Sequence, residues 1–348
     1  QRAPGHANHR HQKPSQNFLA VMTINTHILI GGPGGSPSAL QHSPLASARL
    51  RLAVAAAAAQ ELNQKVSLGE RTPERVDRLI IGKIGANDIQ TRQSVWLAEI
   101  KRLKGLGAQI LLDYTDHHLD RNSVMTEFYL AACELADVIC TPTSELRTAL
   151  IEHFKIQCQI AVVPDLLEYE SVKPKKALVG AAPVGLWFGH PTNARFLAEF
   201  IDSHLQALTG HSLAIVSSPQ TLDILKRHKF SQPPTVGIQT ISWSVQAVAQ
   251  VAQRTDYCVI PSDCNSPKRY ASNNRLITAL ALGLPTLATE LPSYSEFDDN
   301  FATIGSEEAY DLLRQPESHS QGCERFQEDA VHTFTGPKLV AQWRSLLR

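Results

Sequence analysis

Apolar residues fall along this chain in two alternating rhythms. Short apolar runs predict buried strands, and longer stretches with apolar positions three and four apart predict helices. In the first half, "FLAVM" and "HILIGG" read as strand material, followed by the turn-rich "GGPGGSPSALQHSP" and a helix through "LASARLRLAVAAAAAQEL". "RVDRLIIGKIG" is a strand ending in glycines, "SVWLAEIKRLKGLG" a helix closed by glycine, and "AQILLDYTD" another strand. "SVMTEFYLAACELA", "DVICTPT", "SELRTALIEHF" and "IAVVPD" continue the alternation of helix and strand. Strands without a polar face, separated by helices, predict a parallel sheet covered on both sides.

The rhythm breaks at "YESVKPKKALVGAAP", where lysines, prolines and small residues mark a linker over 171–182. It restarts at "VGLWFGH" and runs through "NARFLAEFIDSHLQAL", "SLAIVSS", "TLDILKRH", "TVGIQTISW", "VQAVAQVAQR" and "DYCVIPS". A helix, a strand opened by Gly-Leu-Pro, and terminal helices such as "PKLVAQWRSLL" follow. The pattern predicts an α/β protein of two Rossmann-like, doubly wound parallel-sheet domains facing a central cleft. The expected boundaries are a polar leader at 1–16, a first domain at 17–170, a second at 183–330, and a C-terminal helix at 331–348 that could pack back on the first. Ligands of such sheets lie beyond the carboxyl ends of the strands, and the cleft between two domains is the default site.

Composition narrows the function classes. Thirty-three basic residues balance thirty-three acidic ones, so no overall field favours nucleic acid or an anionic membrane, and any anion recognition is local. The six cysteines form no C-x-x-C pair and several sit in apolar runs, which predicts buried thiols in a reducing, cytoplasmic setting. The longest apolar run, "LAVAAAAA", falls far short of the roughly 18 to 20 residues of a membrane span. Peripheral contact with the inner face of a membrane stays open, as does the oligomeric state.

Four segments could carry chemistry. "SPKRYASNNRLITALALGLPTLAT" crowds Lys268, Arg269 and Arg275 around a helix start, where the backbone dipole disfavours cations. A bound phosphate reverses that sign, because Lys268, Arg275 and the N–H groups near Ser272, Asn273 and Asn274 then converge on one charge. A solvated basic turn is the alternative. "WFGHPTNARF" places Gly189 and His190 between a strand and a helix, where a ligand could approach closely; an ordinary turn capped by Thr192 or Asn193 reads equally well. "DYTDHHLD" sets Asp113, Asp116, His117, His118 and Asp120 beyond a buried strand. A histidine beside carboxylates can act as a general base, and the competing reading is a solvated loop with a cap at Asp120 or Asn122. The adjacent histidines project differently, which argues against a two-histidine metal site, and no metal is expected. "GGPGGSPS" fails both the dinucleotide fingerprint and the P-loop pattern, leaving Gly34 and Gly35 in a flexible loop or one at the mouth of a cleft.

The two-unit pattern, "VGLWFGH", "DVICTPTSEL", "AVVPD" and "NNRLITALALGLPTLAT" together resemble glycosyltransferases of the GT-B fold, and "SPLASARLRL" with "ILLDYTDHH" is similar to bacterial members that build surface polysaccharides. The resemblance implies a nucleotide-diphosphate sugar as co-substrate, no further cofactor, and a glycan or lipid-linked acceptor. It implies that Lys268, Ser272, Asn273, Asn274 and Arg275 bind the donor diphosphate, that Gly189 and His190 line the donor side, and that Gly34 and Gly35 lie on the acceptor side. Asp116 or His117 is the expected base if the reaction inverts. Many retaining members carry two glutamates where this chain has Tyr270 and Thr278, so retention against inversion is left open. A nucleotide-sugar epimerase or hydrolase and a non-catalytic binding protein are the competing readings.

Overall fold

The computed structural model describes residues 23–32, 34–85, 89–119, 124–175 and 182–348. The first domain is a six-stranded parallel sheet of β1 (Asn25–Leu29), β2 (Lys65–Gly69), β3 (Arg78–Ile81), β4 (Gln109–Asp113), β5 (Val138–Thr141) and β6 (Gln159–Val162). Its order is β2-β1-β3-β4-β5-β6. Between the strands run α1 (Ala53–Glu61), α2 (Ile89–Gly105), α3 (Val124–Leu135) and α4 (Ser144–Glu152). Neighbouring residues of each strand enter opposite cores: Leu29, Ile81, Leu112 and Ile139 pack under α2 and α3, while Ile28, Ile80, Leu111 and Cys140 pack under α1. That period of two, with both faces covered, is why these strands read as apolar runs.

The second domain repeats the design with β7 (Val184–Phe188), β8 (Ser212–Ser217), β9 (Gly237–Ser242), β10 (Tyr257–Ile260), β11 (Thr286–Ala288) and β12 (Ala302–Thr303), in the order β12-β11-β10-β7-β8-β9. Helices α5 (Ala194–Ser203), α6 (Gln220–Arg227) and α9 (Glu307–Arg314) cover one face, and α7 (Val245–Ala252), α8 (Asn274–Ala281) and α10 (Ser320–Asp329) the other. The strand order reverses direction between β1 and β3 in the first sheet and between β7 and β10 in the second. Those two reversals are the points where α/β sheets open a crevice at their carboxyl ends.

The chain then returns to the first domain. On α11 (Gly336–Leu346), Leu339 and Trp343 complete the core beside α1. The segment before the second domain is docked rather than loose where it is described: Val172 N–H donates to Ala281 O at 2.8 Å, and Lys175 Nζ donates to Ala252 O and Thr255 O, each at 3.0 Å. This passage explains the glycine of Gly-Leu-Pro. Gly283 closes α8 at φ 71°, and a Cβ there would lie 2.4 Å from Val172 O.

Several local expectations change. The helix through "LASARLRLAVAAAAAQEL" begins as a π-helical turn, Ala48–Leu52, before α1. The strand "KVSLG" at the edge of the first sheet has too little apolar character to announce itself, and "NARFLAEFIDSHLQAL" leaves the helix at Ser203. "FLAVM", the polar leader, Asp120 and Asn122 lie outside the described residues. Of the six cysteines, Cys133, Cys140, Cys258 and Cys323 are buried, Cys158 is half-buried and Cys264 is exposed, all as free thiols. Among the described residues no helix is long and apolar enough to cross a membrane.

Candidate functional site

The carboxyl ends of the two sheets meet at the seam between the domains, and side chains from both strand-order reversals converge there. On the second-domain side, β7 is followed by Gly189 at φ 156°, a backbone state that favours glycine. Ser217 Oγ donates to Gly189 O at 2.6 Å and fixes the turn. An added Cβ at Gly189 would stand 3.6 Å from Arg275 Nη1, so the guanidinium lies directly against this turn. Arg275 reaches there from the first turn of α8, which Leu276, Ala279 and Leu280 anchor in the core.

The polar groups at this helix start are incompletely satisfied. Asn273 occupies the cap position but makes no side-chain cap bond; its Nδ2 donates to Glu296 Oε1 at 3.1 Å, and its buried Oδ1 has no partner among the described residues. Arg275 Nη1 is likewise buried without a hydrogen bond of good geometry among them, and the buried Tyr294 hydroxyl, also without one, lies beside the guanidinium. Buried polar groups are nearly always paired, and those that are not need an explanation such as a ligand. The early amides of a helix also have no partner within it. Asn274 N–H, by contrast, is capped by Ser272 Oγ at 3.1 Å.

His190 follows Gly189. Its Nδ1 accepts from Thr192 N–H at 3.3 Å, which places the proton of a neutral ring on Nε2. His190 caps the 3-10 turn Pro191–Asn193, while Asn193 holds the cap position of α5 without a side-chain cap bond. Partial desolvation by the surrounding wall, then the charges of Lys268 and Lys83, lower the His190 pKa against a smaller opposing pull from Asp116.

On the first-domain side, Asp116 lies beyond β4 and forms an ion pair with Lys83, which follows β3. Desolvation raises the Asp116 pKa, but Lys83, by charge and hydrogen bond, with His118 and Lys268 adding to it, brings the balance below the ordinary 3.8. Asp116 is thus a carboxylate at neutral pH and a weak base while Lys83 holds it. His117 is turned away from solvent, only 6% exposed, with its ring 4.6 Å from that of Tyr270 and 5.4 Å from that of Phe154. Tyr270 arrives from the short 3-10 helix Pro267–Tyr270 of the second domain, and Arg269 lies over its ring at 5.0 Å. Asp116, His190 and Lys268 are therefore brought into one electrostatic cluster with Lys83, while Ser272, Asn273 and Arg275 form its neighbour at the start of α8.

Gly34 and Gly35 follow β1 beyond its carboxyl end and are tied to the edge strand β2. Gly35 bridges to Leu68, a Cβ on Gly34 would meet Leu68 O at 2.8 Å, and Gly32 N–H donates to Glu70 Oε1 at 2.8 Å. The flexible loop expected from "GGPGGSPS" is pinned by its glycines along β2, since the small residues permit close backbone approach. Asp113, grouped with the possible reacting residues by its sequence position, is buried against Arg51 at 2.7 Å and faces inward.

Five residues at the seam escaped the sequence pattern: Arg49, Arg51, Lys83, Asp165 and Glu168. Arg49 forks onto Glu168, with Nε to Oε1 at 2.7 Å and Nη2 to Oε2 at 3.1 Å, and lies 4.9 Å over the Trp243 ring of the second domain. Burial pulls the Arg51 pKa down, but the charges of Asp113 and Asp165 outweigh it and keep the guanidinium fully charged. The available signal was two arginines inside a stretch that is otherwise apolar on every side. A buried charge must be paired, so such residues point to carboxylates elsewhere in the chain. Among the described residues no group of three or more His, Cys, Asp or Glu side chains is placed to hold a metal ion.

This architecture, two Rossmann-like domains with a C-terminal helix crossing back to the first, is the GT-B fold. No family model and no curated protein matches the chain. Among solved structures, TarM superposes with a TM-score of 0.56 at 11% identity, covering 78% of this chain and 54% of that one, so this chain spans about half the length of TarM. A glycosyltransferase from Rickettsia africae ESF-5 gives 0.48 at 11% identity over 94% and 99% of the two chains. An alpha,alpha-trehalose-phosphate synthase (UDP-forming) from Burkholderia vietnamiensis gives 0.49 at 12% over 93% and 95%. At these identities the likeness is one of fold.

Proposed function

We propose that this protein is a glycosyltransferase that moves a sugar from a nucleotide-diphosphate donor to a glycan or lipid-linked acceptor without a metal ion. The observation that carries the reading is Arg275 Nη1, buried without a hydrogen bond among the described residues in the first turn of α8, against the Gly189 turn and at the strand-order reversal of the second sheet. A diphosphate there would satisfy the guanidinium and the early amides together. As the glycosidic bond to the leaving diphosphate breaks, Arg275, Lys268 and the α8 amides would stabilise the charge that develops, a contribution that strengthens when water is excluded. Asn273 Oδ1, an acceptor, suits a donor hydroxyl, and the Nε2–H of His190 suits an acceptor atom of the sugar. Asp116 would take the acceptor proton in an inverting reaction once Lys83 is displaced.

A second reading, a GT-B protein that binds a nucleotide or glycan without transfer, draws on one observation. At the positions of the usual glutamates, Thr278 is buried in α8 and Tyr270 packs against His117, so neither supplies a carboxylate. Calorimetry with a panel of nucleoside diphosphates against wild type and Arg275→Ala tests both. Binding by the wild type that is lost in the variant supports the assigned site; no binding of any nucleotide ends both donor-based readings. Turnover of sugar nucleotides with acceptor present, and not without it, separates transfer from hydrolysis and from binding alone.

A further inference from the structure

A continuous chain of polar contacts runs from the centre of the first sheet to the first turn of α8 in the second domain. Arg51, on the π-helical turn Ala48–Leu52, donates from Nε to Asp113 Oδ1 at 2.8 Å and from Nη1 to the carbonyl of Val163 and to Asp165 Oδ1, the last at 3.2 Å. The other oxygen of the same carboxylate, Asp165 Oδ2, accepts from Ser272 Oγ at 2.6 Å. Ser272 Oγ in turn accepts from Asn274 N–H at 3.1 Å, the first amide of α8. Arg51 and Asp165 are 1% and 7% exposed.

The direction of each bond matters. A serine hydroxyl has one proton, and the short contact to Asp165 commits it there; its lone pairs are then oriented toward Asn274 N–H. Asp165 has one oxygen for the guanidinium and one for the hydroxyl, so its orientation is fixed from the first domain. An ionic cluster this deep is a poor way to gain stability, because desolvation offsets most of the attraction. What it supplies well is orientation along Arg51 Nη1, Asp165 and Ser272, where each bond fixes the next, while Arg51 Nη2 and Asp113 Oδ2 make no hydrogen bond among the described residues.

We propose that Asp165 is a positioning residue: anchored by Arg51, it holds Ser272 and thereby the start of α8 in the place from which Arg275 and the helix amides meet the donor diphosphate. The proposal deepens the functional reading above and rests on it for the identity of the ligand. Asp165 touches no reacting atom. Its effect reaches the ligand through Ser272, and the first domain thereby sets the donor geometry of the second.

The test combines a readout that needs no ligand with one that does. In Asp165→Asn and in Ser272→Ala, amide hydrogen exchange across 272–277 should quicken about tenfold, the scale of losing one hydrogen bond to a charged group. Peptides from β7 and β8 serve as the control and should exchange as in the wild type. Nucleoside diphosphate affinity should fall by about tenfold in each, and the double variant should be no worse than Ser272→Ala alone, because that change already removes both the bond to Asp165 and the cap on Asn274 N–H. Ser272→Thr, which keeps the hydroxyl, should retain wild-type exchange and affinity. Unchanged exchange at 272–277 in both single variants overturns the proposal even if affinity falls, and so do additive losses in the double variant. If exchange quickens as expected but the wild type binds no nucleotide, the positioning role stands and the donor assignment fails.

Discussion

The two walls of the seam treat charge in opposite ways. On the first-domain wall the cations are ion-paired with carboxylates of the same domain, Arg51 with Asp113 and Asp165, Arg49 with Glu168 and Lys83 with Asp116, although Arg51 Nη2 and Asp113 Oδ2 make no hydrogen bond among the described residues. On the second-domain wall Arg275 Nη1 and Asn273 Oδ1 are buried without a hydrogen bond of good geometry among the described residues, and the helix that carries them starts uncapped by Asn273. The difference separates structure from ligand chemistry. A charge satisfied inside the protein fixes geometry, whereas a charge left open in a buried place is balanced by something that arrives. In the proposed reading the first wall is scaffold and the second meets the ligand.

The largest expected effect lies on the paired wall. Arg51→Ala strands Asp113 and should lower unfolding free energy by about 3–5 kcal/mol in urea titrations. The joint change Arg51→Met with Asp113→Leu should recover only part of that loss, because it removes the stranded Asp113 charge but leaves buried Asp165 without its guanidinium. A small effect of Arg51→Ala would break the comparison, since the wall would then not depend on its internal pairing. Next in size is the open wall. Arg275→Ala should weaken nucleoside diphosphate binding by about 10- to 100-fold in calorimetry, with a thermal midpoint close to that of the wild type. A large fall in the midpoint with unchanged affinity would turn Arg275 into a second structural arginine.

The legibility of the two walls followed the same division. The second wall could be read because its signal is local: Lys268, Ser272, Asn273 and Arg275 crowd one helix start, and Gly189 and His190 follow one strand. The first wall depends on partners distant in sequence, Asp113 lying 62 residues after Arg51 and Glu168 119 after Arg49. No periodicity reports such pairings. The sheets were legible because strands buried on both faces are continuous apolar runs, and β2 was not because it lies at an edge, with Lys65 exposed and Val66, Ser67 and Leu68 half-buried. Asp113 and Asp116 show the limit most clearly. Three residues apart after one strand, they looked equivalent, yet β4 directs the first inward to Arg51 and leaves the second at the seam beside Lys83.

A smaller effect concerns stability against pH and is shared by the two domains. Burial, the largest cause in each case, lowers the pKa values of His27 in the first and of His204 and His211 in the second below the ordinary 6.5. These rings bind fewer protons folded than unfolded, so stability rises with pH in that window. It should be fully present above about 6.5 and decline as pH falls toward the lowered values. Urea midpoints measured from pH 7 to pH 5 should therefore decrease, and His27→Gln should flatten the decline relative to its own value at pH 7. A flat profile in the wild type would show that these rings titrate alike in the folded and unfolded chain.

The finest discrimination comes from Lys83, a paired cation of the first wall that stands beside the proposed acceptor path. It is 30% exposed, against 1% for Arg51, so its pair with Asp116 can open at little cost where the Arg51 pair cannot. Desolvation alone would raise the Asp116 pKa; the charge and hydrogen bond of Lys83 are the main causes that bring it down. Removing them in Lys83→Ala should let the pKa climb, so the acidic limb of the transfer rate, where Asp116 becomes protonated and inactive as a base, should move to higher pH. Lys83→Arg should leave the limb near its wild-type position. If neither variant moves the limb while both still bind the donor, Asp116 is not the base, and its pair with Lys83 joins the structural set around Arg51.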